Sequence, residues 1–356
     1  MKSENAEPLC PVFSECGGCS YQHLAYQDEL TIKEKELKSI LREKIDLEDD
    51  LFEPIVASPQ AYHYRNRLDL KLVRTKAGEV FIGFSPRSKG RVIPVETCFI
   101  AEKRIADYIP TVKTEAIAKL PAKKYRQANL VVRTGDDQKV LWGGIGRRSC
   151  QLDEAQYFWA EINGKKIFYS LDTFFQANLS ILSLLFSRLE QFDCWKDNTV
   201  LLDLYGGVGL FSIGLSDRVR DIVLMEESIS SLRLAEYNKA YHDLSHLSII
   251  PGKVEEALPG YLTDHSHQHL VALVDPPRAG LSEKALKIFV GSHALDALFY
   301  LSCQPAALAR DLKSFTKNNW TIKRIMPFDF FPKTKHLETL VLLQSDLRSS
   351  KKKESL

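Results

Sequence analysis

The 356-residue chain is 44% hydrophobic and 26% charged, the balance of an ordinary soluble protein with length enough for two domains, each with an ample core. No run approaches the roughly 18 to 20 apolar residues that a membrane helix needs, and the polar, acidic N-terminus has no signal-peptide core, which leaves a cytoplasmic protein as the expectation. Seven cysteines in a reducing compartment then read as thiols or metal ligands rather than disulfides.

The net charge of +2 hides an asymmetry: residues 1–60 hold 6 Lys/Arg against 13 Asp/Glu, residues 61–150 hold 19 against 8, and residues 151–356 hold 23 against 25. The basic central block is interleaved with Tyr62, Tyr64, Phe81, Phe84, Tyr125 and Trp142. That mixture suits a polyanion whose bases stack on rings, and equally a solvated β surface with a basic bias.

At the N-terminus, Cys10-x5-Cys16-Gly-Gly-Cys19 precedes Tyr21-Gln-His23 and places three thiols on one short loop. Cys98, in Val95-Glu-Thr-Cys98, is a candidate fourth ligand once the chain folds back. Four thiolates suit either tetrahedral zinc or a 4Fe-4S cluster, and spacing does not choose between them. Asp28 to Ile45 reads as a helix with Leu30, Leu37, Ile40, Leu41 and Ile45 on one face.

From 66 to 145 the pattern changes to short alternating runs (68–73, 80–84, 91–95, 130–133 and 140–143) with turns at Gly78 and Gly135-Asp-Asp137. This predicts a small, mainly β domain with one helix near 100–119. From about 165 the pattern is strand then helix, repeatedly. Apolar runs at 200–204, 222–225, 247–250, 270–275 and 297–301 predict an α/β domain, a parallel sheet covered on both faces. Runs near 320–326 and 337–343 leave little room for a crossover helix and should pair as an antiparallel edge hairpin. Arg348-Ser-Ser-Lys-Lys-Lys353 reads as a basic, disordered tail. The expected boundaries are 1–48 for the cysteine loop and helix, 49–164 for the β domain with Cys98, 165–346 for the α/β domain and 347–356 for the tail.

Several strand ends carry chemistry. The run 200–204 leads into Asp203-Leu-Tyr-Gly-Gly-Val-Gly-Leu-Phe-Ser212, whose glycines let the backbone turn tightly beneath a ligand at the carboxyl edge of the sheet. The spacing is neither the dinucleotide fingerprint nor a phosphate loop; it resembles the S-adenosylmethionine loop of Rossmann-like methyltransferases. About 20 residues on, Met225-Glu226-Glu227 offers an acid for ribose hydroxyls, Glu226 at the strand end and Glu227 in reserve. The run 270–275 ends in Asp275-Pro-Pro-Arg278 and the run 297–301 ends in Ser302-Cys-Gln-Pro305. A lone strand cysteine is more often buried packing than a catalyst. A helix-start turn, however, is where Cys303 would gain thiolate character.

Together, Phe174-Phe-Gln-Ala-Asn178, Asp203-Leu-Tyr-Gly-Gly-Val-Gly209, Asp275-Pro-Pro-Arg278, Ser302-Cys-Gln-Pro305 and Phe331-Pro-Lys-Thr-Lys-His-Leu-Glu338 resemble the RNA uracil-C5 methyltransferase family. The resemblance extends to Tyr64-Arg-Asn-Arg67 and the N-terminal cysteines, and so spans nearly the whole chain. It implies Cys303 as a nucleophile adding to C6 of uracil and Glu338 as the base that removes the C5 proton. Gln176, Tyr205, Glu226 and Asp275 would hold S-adenosyl-L-methionine, and Arg278 would contact the pyrimidine. His336 would tune Glu338 or bind phosphate, or be structural. The Cys-Gly-Gly-Cys-x-x-Gln-His pattern favours a 4Fe-4S cluster on Cys10, Cys16, Cys19 and Cys98, with the β domain binding RNA.

The chain departs from the family at Gln304, usually Asn; at Gly206, usually Cys; and at Leu210, often Asn. An amino-methyltransferase would carry an aromatic where Arg278 stands, and a cytosine-C5 enzyme a cysteine within 275–278. A noncatalytic RNA-binding protein on the same fold is the competitor from another class. Only nine residues precede Cys10, too few for the N-terminal oligonucleotide-binding barrel of many relatives. Cluster-bearing relatives point to 23S ribosomal RNA as substrate, with transfer RNA second. The target uridine would be unpaired or flipped and the protein a monomer without membrane contact.

Overall fold

The computed structural model describes residues 6–120, 126–145 and 154–346; Tyr125, Cys150 and the basic tail lie outside them. Helix α1 (Tyr26–Arg42) buries Leu30, Leu37 and Leu41. It ends earlier than the expected Ile45, because the N–H groups of Lys44 and Ile45 both turn back to the Leu41 carbonyl.

Strands β1 (Arg67–Arg74), β2 (Val80–Phe84) and β3 (Ile93–Pro94), helix α2 (Lys103–Lys119), and strands β4 (Gln127–Thr134) and β5 (Val140–Ile145) follow. Their antiparallel sheet runs β3-β2-β1-β4-β5. Leu68, Leu70 and Leu72 alternate onto the face that packs against Ile105, Ile109, Val112 and Ala116 of α2, as a half-buried strand of period two requires.

The hairpin of β6 (Phe158–Ile162) and β7 (Lys165–Tyr169) comes next. The boundary expected between 164 and 165 falls in its turn. Phe158, Ala160, Ile162, Ile167 and Tyr169 share a core with the large sheet, so hydrophobic packing places both strands with that sheet.

Helix α3 (Leu182–Glu190) leads into β8 (Thr199–Leu204), α4 (Leu210–Gly214), β9 (Asp221–Glu226), α5 (Ile229–Tyr241), β10 (Leu247–Pro251), α6 (Val254–Asp264), β11 (His269–Val274), α7 (Glu283–Val290), β12 (Leu295–Ser302), α8 (Pro305–Thr316), β13 (Trp320–Phe328) and β14 (Glu338–Ser345). The seven-stranded sheet runs β10-β9-β8-β11-β12-β14-β13, with its first five strands parallel. Leu201 of β8 and Val271 and Leu273 of β11 enter the core on one face. Val200, Leu202, Leu270, Ala272 and Val274 enter the core on the other. Continuous apolar runs are thereby explained: both faces are covered.

The expected edge hairpin is β13–β14, but the later strand inserts between β12 and β13, leaving β13 at the edge. Phe52 and Val56 bridge to Ile325 and Phe328 along it and pair part of what would be an open edge. Helix α1 packs on α8, and its Leu37 and Leu41 join the second core. Strand order reverses between β8 and β11, so their connections leave to opposite sides and a crevice opens at their carboxyl ends.

Candidate active site

The crevice is floored by the turn after β8. Tyr205 (φ 62°), Gly207 (φ 57°) and Gly209 (φ 90°) are left-handed, which glycine adopts freely and tyrosine does not. Gly206 is required by space instead: a Cβ there would stand 2.6 Å from Leu224 Cγ. The turn is pinned from both sides. Asp203 Oδ2 accepts from the Ser212 N–H at 2.9 Å and its hydroxyl at 2.6 Å. Glu226 Oε2 accepts from the Gly207 N–H at 2.9 Å, while Oε1 accepts from the N–H groups of Glu227 and Ser228. Of the two acids, Glu226 is thus the one tied to the turn; Glu227 is exposed beside it.

The reactive side is assembled by sheet register. In the antiparallel β12–β14 pair, Ser302 lies opposite Thr339; one step further brings Cys303, before Pro305 at the start of α8, to the row of Glu338. Asp275 follows β11, whose Val274 lies beside Tyr300. Gln176 donates from Nε2 to Asp275 Oδ2 at 3.1 Å, joining the 174–178 segment to the strand ends.

Burial dominates the electrostatics. It pushes the Cys303 thiol up to about 11, with the Glu338 and Asp275 charges adding and Arg278 opposing. Glu338, 5% exposed, is held well above the usual carboxylate range by burial and by Asp275, again against Arg278. Asp275 keeps some open surface while its carboxyl is enclosed; burial and then Asp203 raise it. Asp203 is raised to about 7, mainly by burial. Asp203 Oδ1 and Glu338 Oε2 have no hydrogen-bond partner among the described residues. Desolvation and two acids thus oppose the thiolate character expected of Cys303 at a helix-start turn. Burial and nearby cations, Arg278 first among them, lower His336.

Gln176, Tyr205, Glu226, Asp275, Arg278, Cys303, Glu338 and His336 all line one cavity of about 830 Å³, within the size range of small-molecule sites. Sequence reasoning did not single out Asp69, Ser231 or the turn Gly252-Lys253-Val254-Glu255, which line it too. The glycine directly after β10 was the available signal, a third turn at the same carboxyl edge. Phe174, 65% exposed, also borders the cavity. Gln304 caps α8 by backbone position only, with no side-chain bond to the helix; its N–H donates to Ser302 Oγ at 3.3 Å.

Cys10, Cys16, Cys19 and Cys98 line a separate cavity of about 150 Å³, walled by Val12, Phe13, Phe84, Val95 and Ile100. All four are free thiols. Burial, reinforced by the other three sulfurs, pushes Cys19 up to about 12. Among the described residues no three His, Cys, Asp or Glu side chains are grouped closely enough to hold a metal ion. Arg65 and Asp69 line both cavities. No helix among the described residues is long and apolar enough to cross a membrane.

A doubly covered sheet with a glycine turn after its central strand, an acid ending the next strand and a crevice at the switch point defines a methyltransferase that uses S-adenosylmethionine. More narrowly, residues 151–346 match the tRNA (uracil-5-)-methyltransferase family, and the chain belongs to this family of RNA uracil-5 methyltransferases. It is similar to an RNA methyltransferase of Thermosynechococcus vestitus, 28% identical over 96% of this chain and 84% of the relative. An RNA methyltransferase of Aquifex aeolicus is 26% identical over 94% of this chain and 83% of its own length. Its fold is that of the Pyrococcus abyssi tRNA (uracil-54, C5)-methyltransferase crystallised with S-adenosyl-L-homocysteine, with TM-score 0.69, 22% identity, and coverage of 92% of this chain and 85% of that one.

Proposed function

We propose that this protein methylates C5 of a specific uridine in RNA through a covalent adduct on Cys303. The observation that carries the reading is the convergence of Cys303, Asp275, Arg278 and Glu338, from three strand ends, on the cavity that also holds Gln176, Tyr205 and Glu226. S-adenosylmethionine, when bound by Gln176, Tyr205, Glu226 and Asp275, supplies a methyl group on a cationic sulfonium.

C5 of uracil is too weak a nucleophile to be methylated directly. Cys303 passes its proton to water and gives a sulfur electron pair to C6, the ring electrons move toward the C4 carbonyl oxygen, and C5 becomes nucleophilic enough to take the methyl group, whose bond to the donor sulfur breaks and leaves S-adenosyl-L-homocysteine. Glu338, as carboxylate, then takes the C5 proton; the C5–C6 double bond re-forms and expels the Cys303 sulfur. Arg278 serves the pyrimidine side, its charge offsetting negative charge on Cys303, Glu338 and the ring. The uridine enters unpaired or flipped, its lost stacking partly restored within the pocket.

Cys10, Cys16, Cys19 and Cys98 supply the donor chemistry of a 4Fe-4S cluster, four thiols on one small cavity among apolar side chains, although no three of them stand close enough together to hold a single metal ion. These residues would hold it as a brace between the N-terminal loop and the β domain, since the reaction transfers no electron. Iron and sulfide in stoichiometric amounts in anaerobically purified protein test this; zinc alone would replace the assignment.

The RNA we propose is 23S ribosomal RNA, methylated in the cytoplasm by a monomer. This follows from the four-cysteine loop and the family pattern around it. Transfer RNA is the second reading, favoured by the substrate of the similarly folded Pyrococcus abyssi enzyme. Mapping 5-methyluridine by mass spectrometry in both RNAs from a strain lacking this gene decides: loss from 23S RNA is expected, and loss from transfer RNA alone overturns the choice. Loss from neither overturns the reaction.

A further inference from the structure

The buried face of α1 is not wholly apolar. Glu29 and Lys33, one turn apart, meet Asp329 and Lys333, and all four are at most 3% exposed. Lys33 Nζ donates to Glu29 Oε1 and Asp329 Oδ1, both at 2.7 Å, and to the Phe331 carbonyl at 3.1 Å. Lys333 Nζ lies 3.3 Å from Glu29 Oε2 and donates to the Leu24 carbonyl at 3.2 Å. Two cations therefore balance two carboxylates inside the protein. Apolar residues would fasten α1 at least as well, as Leu37 and Leu41 already do; a buried ionic set instead selects one register.

What it selects is the segment before β14. Lys333 sits at φ 65°, a conformation that a lysine keeps only when its surroundings impose it. Its N–H donates to Glu29 Oε1 at 2.6 Å, and its carbonyl accepts from the N–H groups of Ser20 and Tyr21. Every polar atom of Lys333 is thus held by residues 20–29. On either side, the Tyr64 hydroxyl donates to the Pro332 carbonyl at 3.0 Å. The Thr334 hydroxyl donates to the Phe331 carbonyl and accepts from the His336 N–H. Phe331, His336 and Glu338 all line the reaction cavity. Glu338 Oε2 has no hydrogen-bond partner among the described residues, so the position of that oxygen is set by the backbone leading to it.

We infer that Glu29, Lys33, Asp329 and Lys333 form an ionic clasp that positions Glu338 for removal of the C5 proton, making them positioning residues for the last step of the reaction. The inference rests on the covalent reading above. If the clasp loosens, Cys303 still adds to the ring and C5 is still methylated, but proton removal slows and the adduct persists.

The test compares wild type with Lys33→Met and the milder Asp329→Asn, which keeps an acceptor for Lys33. The full-length protein is incubated with S-adenosylmethionine and substrate RNA. Denaturation-resistant protein–RNA adduct and released 5-methyluridine are then measured in the same samples. The expected result is a ratio of adduct to product raised at least tenfold in the folded variants, approaching that of Glu338→Gln, with S-adenosylmethionine affinity unchanged. Mere loss of folded enzyme lowers adduct and product together and leaves the ratio alone. A wild-type ratio in either folded variant overturns the clasp, as does failure of both variants to fold. Methylation by Cys303→Ala would overturn the covalent reading and the clasp with it, whereas an inert Cys303→Ala beside a wild-type ratio overturns the clasp alone.

Discussion

Cys303 should be almost wholly protonated in the empty site. A thiol raised from 9.0 to about 11 differs by two pH units from an ordinary one, a factor of about 100 in thiolate at neutral pH. At pH 7.5 about 3 in 10,000 Cys303 side chains carry charge, against about 3 in 100 for an unperturbed cysteine. The rate of Cys303 alkylation by iodoacetamide, followed by mass spectrometry of the tryptic peptide 288–310, which holds no other cysteine, reports the ionised fraction. With neither RNA nor cofactor, the rate should climb about tenfold per pH unit from 7 to 10 without reaching a plateau. Steric shielding scales the whole curve and leaves its midpoint alone.

Glu338→Gln removes the larger of the two raising charges, and the midpoint should fall between 9.0 and 11 because burial, the leading cause, remains. A plateau at or below pH 9 in the wild type would refute the reasoning, because it would mean that the helix start outweighs desolvation. A thiol kept neutral in the empty site is protected from adventitious oxidation and alkylation. Its ionisation then has to be coupled to arrival of the substrates.

Three further outcomes follow from the same geometry. Gly206→Ala should cost about 1–3 kcal/mol of stability and weaken S-adenosylmethionine binding, because the new Cβ would lie 2.6 Å from Leu224 Cγ; Leu224→Ala should relieve the clash, and calorimetry on both single variants and the double variant measures the coupling. Arg133 is fully buried and donates from Nη1 to the carbonyls of Ser170 and Thr173, so Arg133→Met should lower stability by about 3 kcal/mol in urea unfolding and loosen the segment carrying Gln176. Asp275, which lines the cavity and is raised to about 7, should make S-adenosylmethionine bind about tenfold more weakly at pH 6 than at pH 8, since about 1 in 11 such groups is ionised at the lower pH and 10 in 11 at the higher. A raised carboxylate adds to stability of the empty protein below its unfolded value of 3.8 and loses that contribution as pH rises through 7, so the rise in melting temperature on cofactor binding should be larger at pH 8; equal shifts at both pH values would contradict the assignment.

The elements that the sequence made legible are those whose signals are local. The apolar runs of β8, β11 and β12 announced strands covered on both faces, and the glycines at 207 and 209 announced a left-handed turn that other residues resist. Cys303 and Asp275 could be associated because each stands at a strand end, and strand ends at one edge of a sheet are neighbours; Glu338 came only from the family resemblance. Less was visible where partners lie far apart in the chain. Lys33 and Asp329 are separated by 296 positions, and nothing near either one marks it as buried. The hairpin at 158–169 alternates like the β domain before it, and only its packing assigns it to the large sheet. The rise of Cys303 was hidden for the same reason: a helix start is local, whereas Glu338 reaches the thiol through the register of an inserted strand.

That insertion is the feature on which the chemistry turns. If β13 and β14 had joined the sheet in chain order, Glu338 would be one strand further from β12, about 5 Å away, and the row shared by Cys303 and Glu338 would not exist. Placing the last strand between β12 and β13 brings Glu338 to the cavity that Cys303 lines and leaves β13 to be covered by residues 52–56. It also adds Glu338 to Asp275 and Glu226 around one cavity, with Arg278 offsetting only part of their charge. Buried carboxylates of this density are costly without cations. A cofactor carrying a sulfonium and an ammonium supplies that charge, and the sulfonium charge disappears once the methyl group leaves. A site built this way should bind the methyl donor more tightly than the spent product, and the charge lost on methyl transfer should favour release of that product.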